Sequence, residues 1–331
     1  VTVIHENPEW FPPLAAAFEA EGVPVRELLL TEGQIDLGAE PEPGVYWSRM
    51  SASSHTRGHE HSKEYTRAVL GWLERAGRQV VGGSHVLELE VSKVAQHGLL
   101  QRAGFDVPRT TAVFGTATLK QAAADFTGGQ DGPFITKHNQ GGKGLGVRRF
   151  DSLAEFDAYV DSPEFEEPVD GITLLQEYLT AREPFITRVE FVGGEFVYAV
   201  RVDTSAGSFE LCPADACEVP QIIAGAVCEV PGTETAGAPA AFSVRTEVTA
   251  EHPLVQQLRT FLADQRITIA GVEFMETTDG RTVVYDINTN TNYNPAVEEA
   301  APASGPRSIA RYLGGLLDAE YATAAAPAAH A

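Results

Sequence analysis

Apolar and polar positions follow two periods along this chain, and the changes of period divide it into regions. In the first 84 residues, short apolar runs alternate with helix-spaced ones. TVIHE (2–6) reads as a strand, 14–20 as a helix, 24–30 as a strand and GVYWS (44–48) as a buried strand; a helix over 64–76 stops at Gly77, and RQVVGG (78–83) closes the set. This order predicts a small parallel sheet with helices on its faces. The stretch 84–104 reads as one helix ended by Gly104.

A second region carries strands at 111–115, 133–137 and 146–150, a helix at 119–126, and a helix at 153–160 behind a Ser152 and Glu155 capping box. A third opens with TLLQEYL (173–179). It continues with a hairpin over 184–203 turning at Gly193-Gly194, a helix over 252–265, a hairpin over 271–288 turning at Asp279-Gly280, and a helix over 307–317. The expected class is α/β with α+β lobes. The expected divisions are 1–84, 85–172, 173–318 and a disordered tail at 319–331 that ends in ATAAAPAAHA. Residues 203–248, rich in Gly, Ala and Pro, read as long loops.

A length of 331 residues exceeds what one compact core uses and fits two or three lobes. No apolar run reaches the roughly 18–20 residues of a membrane span, and no basic-then-apolar leader opens the chain. Three cysteines, Cys212, Cys217 and Cys228, cannot all pair, so a reduced, cytoplasmic setting is expected. The net charge of −22 would repel a phosphate backbone over most of the surface, which argues against nucleic acid as a partner.

The strongest chemical signal lies in the second hairpin. A two-residue turn at Asp279-Gly280 sets Glu273 opposite Asp286, with Asn288 on the same face. Like charges directly opposite destabilise a sheet. Two carboxylates and an amide oxygen, however, form the sparse oxygen set with which a magnesium ion shared with nucleotide phosphates is held. A solvated polar face is the plain alternative, but Val272, Phe274, Val283, Val284, Tyr285 and Ile287 make the hairpin largely apolar.

KHNQGGKGLG (137–146) is a Gly-rich loop between two strands, where backbone N–H groups can approach a polyanion. Lys137 can set its ammonium on a phosphate. The glycine spacing fits neither a P-loop nor a dinucleotide-binding turn, and a plain hairpin loop would explain the segment by itself. Arg188 and Arg201, on the two strands of the first hairpin, are either surface cations or cleft residues facing a transferring phosphoryl group. Arg49 follows an apolar strand at its carboxyl end, where ligands of open α/β sheets bind, and its planar fork suits a substrate carboxylate. His55, His59 and His61 lack the spacing of a zinc site and read as a polar loop. Cys212 and Cys217 read as packing or substrate-loop residues.

YWSRMSASS, SKVAQHGLLQRAGFDVPRT, PFITKHNQGGKGLGV, LLQEYL, the TR of FITRVEF and GVEFMETTDGRTVVYDIN occur in the order found in the ATP-grasp superfamily. Over about residues 40–316 the chain resembles the RimK-like glutamate ligases of that superfamily. The resemblance implies an ATP-grasp fold behind the small parallel-sheet domain. It implies an ADP-forming ligase that joins a carboxylate to an amine through an acyl-phosphate, with a kinase-like phosphotransferase or a non-catalytic nucleotide-binding protein as the rivals. Lys93 and Lys137 would contact phosphates. Gly141, Gly142, Lys143 and Gly144 would belong to the flap, and Gln176, Glu177, Tyr178 and Leu179 to the adenine hinge. Glu273, Asp286 and Asn288 would bind one or two magnesium ions, with manganese as a substitute. Arg188 and Arg201 would face the transferred phosphate. Substrates would be small or peptide carboxylates and amines, with a homo-oligomer possible and no membrane partner. Two departures stand out. Ile186 occupies the position of the family's ribose-binding Asp, for which Glu183 is the expected replacement. TNTNYNP (289–295) replaces a small-residue turn, so the acceptor side is expected to differ.

Overall fold

The computed structural model describes residues 1–142, 144, 146–205 and 241–325. The first sheet is parallel, in the order β2-β1-β3-β4, from β1 (Thr2–His5), β2 (Arg26–Leu29), β3 (Val45–Ser48) and β4 (Gln79–Val81). Its central strands, β1 and β3, are buried throughout because both faces are covered, whereas the edge strand β2 is largely exposed. Val3, Val45 and Trp47 pack on α1 (Pro12–Ala20) and on a helix from the far end of the chain. Ile4 and Tyr46 pack on Leu70 and Leu73 of α2 (Ser62–Arg75).

The single helix expected over 84–104 is two, α3 (Ser84–Glu90) and α4 (Lys93–Arg102). Ser92 between them takes an extended backbone, and its side chain accepts from the Ala95 N–H. A serine side chain satisfies the free N–H groups of a helix start better than those of a helix interior. The break puts Lys93 at the first position of a new helix.

The second sheet is antiparallel, in the order β5-β8-β6-β7. It is made of β5 (Thr110–Phe114), β6 (Phe134–His138), β7 (Arg148–Phe150) and β8 (Ile172–Glu177), and α5 (Leu119–Thr127) and α6 (Leu153–Val160) pack on one face around Phe134, Phe150 and Phe156. The division expected at 172/173 cuts this sheet, since β8 pairs with both β5 and β6.

The third sheet, β11-β10-β9-β12-β13, contains β9 (Phe185–Val192), β10 (Glu195–Asp203), β11 (Phe242–Val244), β12 (Ile269–Glu276) and β13 (Thr282–Asn288). Helices α4 and α7 (Pro253–Asp264) cover one face, where Leu100, Leu258 and Phe261 meet Val189, Phe191 and Phe274. On the other face, Val297 of α8 (Pro295–Ala300) meets Ile186, Val200 and Val202. The last helix, α9, runs Gly305–Ala325, so the expected tail at 319–331 is helical through residue 325. Alanine is the strongest helix former, and AEYATAA extends the turn pattern. The rest of the tail, 326–331, lies outside the described residues, as do Cys212, Cys217 and Cys228. No helix among the described residues is long and apolar enough to cross a membrane.

Candidate active site

The second and third sheets enclose a cavity of about 340 Å³, closed at one end by Trp10 and Ser51–Ala52–Ser53 of the first lobe. The third sheet supplies its charged floor. Glu273 pairs directly with Asp286, as the sequence predicts, but by a different route. The hairpin turn has three residues, 278–280, not two: the Thr277 N–H bonds the Arg281 carbonyl at 2.9 Å, and Gly280 takes φ +87°. That turn alone would put Glu273 opposite Tyr285. A bulge at Tyr285 restores the register and brings Tyr285 and Asp286 both to the cavity.

Asn288 lines the same wall and bonds Glu273 through Nδ2 at 3.3 Å. The Lys93 ammonium is bonded to Asp286. Burial and the facing Asp286 push the Glu273 carboxyl above its usual range. Burial opposes ionisation of Asp286 too, but Lys93 and Lys137 hold it below the usual range. Two facing carboxyl groups beside an amide match the oxygen donors of a hard divalent cation that takes its remaining oxygens from a ligand.

Arg188 stands next to this pair. Its Nε donates to Glu190 at 2.6 Å, Nη1 lies 3.8 Å from Glu273, and Nη2 is buried with no protein partner. Its side chain crosses Gly271, where a Cβ would fall 2.4 Å from Nε. Glu190 is 2% exposed, and burial raises its carboxyl to about 7 against the pull of Arg188.

The second sheet supplies the opposite wall. Lys137, near the end of β6, is buried among the lining residues, and burial together with Lys93 lowers its ammonium to about 8. Gln176, Glu177, Tyr178 and Leu179 line the cavity with Ile135, Ile186 and Met275, which make that part a slot with apolar sides. The Oε1 of Gln176 is buried without a protein partner. Gly141, Gly142 and Gly144 run past the opening, and a Cβ on Gly142 would touch Ser53 at 3.4 Å. Asn139 ties this loop to the start of α4: its side-chain oxygen accepts from the Val94 N–H at 2.9 Å, and its backbone oxygen from the Lys93 N–H at 3.1 Å. The two lysines are therefore held by one junction.

No family model and no curated protein matches the sequence. Solved structures do match over nearly the whole chain. D-cycloserine synthetase DcsG is 14% identical, with 96% of this chain and 99% of that one aligned at a TM-score of 0.64. A RimK domain ATP-grasp protein from Sphaerobacter thermophilus is 16% identical, with 95% and 99% aligned at 0.61. The macrocyclase MdnC from Microcystis aeruginosa, bound to its precursor peptide, is 14% identical, with 96% and 100% aligned at 0.59. This chain has the ATP-grasp fold.

Within that fold, most of the expected positions converge and some do not. Lys93, Lys137, Gly141, Gly142, Gly144, Gln176, Glu177, Tyr178, Leu179, Arg188, Glu273, Asp286 and Asn288 all line the ATP-grasp cavity. Lys143 lies outside the described residues. Arg201 is on the wrong face: it pairs with Thr187, whereas the residue opposite Arg188 is Val200. Its guanidinium stacks 4.3 Å from the Phe185 ring. Glu183 is exposed and outside the lining; Thr204 lines the wall instead.

Arg49 is 3% exposed and also outside the lining. Its Nη2 donates to the Thr291 carbonyl at 3.0 Å and to Asn292 Oδ1 at 3.1 Å, over the Trp47 ring. It anchors a loop; it is not aimed at the cleft. His59 bonds Glu6 at 2.8 Å beside Arg57, and among the described residues no three His, Cys, Asp or Glu side chains form a metal cage.

Sequence reasoning missed Glu90, Tyr285, Glu190, Asn290 and Asn292. Glu90 is a buried cavity residue whose Oε2 accepts from the Thr289 N–H at 2.7 Å and hydroxyl at 2.8 Å. The asparagines had a signal. Asp286, Asn288, Asn290 and Asn292 keep the strand period, and all four line the cavity.

Proposed function

We propose that the protein is an ATP-dependent, ADP-forming ligase that joins a carboxylate to an amine through an acyl-phosphate. One observation carries this reading: Lys93, Lys137, Arg188 and the Glu273–Asp286 pair gather at one part of a cavity whose other end is neutral and polar. The first part suits a nucleotide triphosphate and the second a substrate. The solved structures that share the fold support the reaction class, since they include a D-alanine-D-alanine ligase and the ligase PsnB in complex with its minimal precursor, magnesium and ADP.

In this reading adenine occupies the slot between Ile135, Ile186, Leu179 and Met275, against the hinge Gln176–Glu177–Tyr178–Leu179. Ile186 makes the ribose side apolar, leaving Thr204 as a lining hydroxyl. Lys93 and Lys137 meet the phosphates, and the glycines at 141, 142 and 144 cover them and keep water out. Glu273, Asp286 and Asn288 would hold one or two magnesium ions, for which manganese is expected to substitute. When bound, the metal neutralises charge on the phosphoryl oxygens.

A substrate carboxylate oxygen attacks the γ-phosphorus, and the bond from phosphorus to the ADP oxygen breaks. The free Nη2 of Arg188 is placed to donate to a phosphoryl oxygen as charge spreads over it. The amine nitrogen then attacks the acyl carbon. Phosphate leaves with the electron pair of the C–O bond, and the amine gives up a proton.

ADP release is the test, measured over pairs of candidate carboxylates and amines with mass detection of the product. Release that needs both partners and yields an amide is expected. Release without an amine, with a stable phosphorylated product, would replace the ligase with a phosphotransferase.

A further inference from the structure

The 289–292 loop turns one set of side chains into the protein and the other into the cavity. Thr289 is fixed to Glu90 through both its N–H and its hydroxyl. Thr291 is fixed by its carbonyl to Arg49 and by its hydroxyl to Tyr293 at 2.8 Å. The alternate residues, Asn290 and Asn292, line the cavity. Arg49 engages the Oδ1 of Asn292, which leaves the Nδ2 hydrogens for another acceptor. The Oδ1 of Asn290 is buried and has no donor in the protein. One amide donor and one amide acceptor therefore stand side by side on a rigid support, next to Asn288 of the proposed metal set.

The cations around them are engaged elsewhere. Lys93 is bonded to Asp286, Arg188 to Glu190, Arg57 to Glu6 and Arg49 to the loop itself. Lys137 lies on the nucleotide wall, and Lys63 is bonded to Gln140. The remaining residues at this end, Trp10, Ser51, Ala52 and Ser53, are uncharged. Outside the described residues, 206–240 contain no Lys, Arg or His, and Lys143 belongs to the Gly-rich segment 137–146 assigned to the nucleotide. Among the described residues, no Lys or Arg joins Trp10, Ser51, Ala52 and Ser53 in lining this end of the cavity.

We infer that Asn290 and Asn292 form the recognition wall for the non-nucleotide substrate, and that this substrate is an amino acid with an uncharged, hydrogen-bonding side group. The inference rests on the ligase reading for its placement beside the nucleotide. It departs from the glutamate that the sequence resemblance implies. This amide pair is met by a hydroxyl or carboxamide that both donates and accepts, whereas a carboxylate, which only accepts, would leave the buried Asn290 oxygen without a donor.

Binding, not turnover, provides the test. The full chain with magnesium and a non-hydrolysable ATP analogue is titrated with serine, asparagine and glutamine, with glutamate and aspartate, and with lysine. The uncharged polar group should bind at least tenfold more tightly than the acidic or basic ones. Asn290→Ala should remove at least tenfold of that affinity and leave the affinity for the analogue unchanged. The near-isosteric Asn290→Asp should move the preference toward lysine, and it guards against a folding defect in the first variant. Preference for an acidic amino acid, no binding of any uncharged one, or unchanged binding in Asn290→Ala would overturn the inference. Binding as expected, but without ADP release for any carboxylate and amine, would instead remove the ligase reading and leave the wall in place.

Discussion

Lys93 and Asp286, 193 positions apart in the chain, meet as a buried ion pair at the head of α4. The pair sets the sign of a first prediction. Replacing Asp286 removes like-charge repulsion against Glu273, but it also leaves a buried ammonium alone. Breaking one half of a buried pair costs about 3–5 kcal/mol, more than a cross-strand repulsion returns. Asp286→Asn should therefore lower the denaturation midpoint of the metal-free protein and abolish ATP turnover. Glu273→Gln, which neutralises a carboxyl already pushed upward by burial, should lose turnover with little change in stability. Denaturant melts of both variants decide this; a stabilised Asp286→Asn would mean that Lys93 is not bound there.

Lys137 gives a pH dependence. Its ammonium is lowered to about 8 by burial and by Lys93. The cation is present below that value and is lost as pH rises through it, so attraction for the phosphates weakens on the alkaline side. A bound polyphosphate favours the charged form, so binding near that pH takes up a proton. Nucleotide affinity should fall roughly tenfold between about pH 7 and about pH 9.5, since each pKa unit corresponds to about 1.4 kcal/mol. In Lys137→Met the affinity should be weaker and flat over that range. A slope that survives the substitution would assign the titration elsewhere.

Gly271→Ala tests how Arg188 is placed. The added methyl would fall 2.4 Å from Nε of Arg188, so the guanidinium must leave its seat against Glu190. We expect a fall in kcat of on the order of a hundredfold, the scale of losing one donor to a transition-state oxygen, with nucleotide affinity within a factor of about two. Equal losses in affinity and rate would point to a general distortion of β12.

Arg49→Lys separates the two ends of the cavity. Lysine cannot reproduce the fork that holds Thr291 and Asn292. The concentration of the non-nucleotide substrate needed for half-saturation should rise by about tenfold, or about 1.4 kcal/mol, and ATP affinity should hold. The cause would be a loosened loop, since Arg49 does not line the cavity. Lost ATP binding with normal substrate saturation would reverse the assignment.

Elements whose signals are local were legible in the sequence. The turns at Gly193-Gly194 and around Gly280, the Ser152 cap and the strand period of Asp286 and Asn288 depend on near neighbours. Misreadings arose where a tertiary partner decides. The Asn139 side chain, 47 residues from Ser92, helps split one expected helix into two. Arg201 and Arg188 differ in face because of pairing parity, which a hairpin sequence leaves open until its register is known. The opposition of Glu273 and Asp286 was reached from a turn one residue too short, and the bulge at Tyr285 made up the difference. Glu90 and Glu190 had no readable signal, because a buried carboxylate looks in sequence like any surface one.

Helix α9 joins the first sheet to the third, and nearly the whole described sequence lies between it and the strands it covers. Ile309, Leu313 and Leu317 close the core beside Val3, Phe18 and Trp47 of the first lobe, and meet Val192 and Ile269 of the third sheet in the same cluster. During synthesis, the opening strands leave the ribosome some 300 residues before the helix that covers them. That interval is tens of seconds at 5–20 residues per second, and so roughly 15–60 seconds in which one apolar face of the first sheet has only α1 to cover it. The nascent first lobe should therefore engage chaperones. Removing α9 should show up as a failure of the first lobe to become protease-resistant, while the second sheet, which α9 does not cover, matures on time.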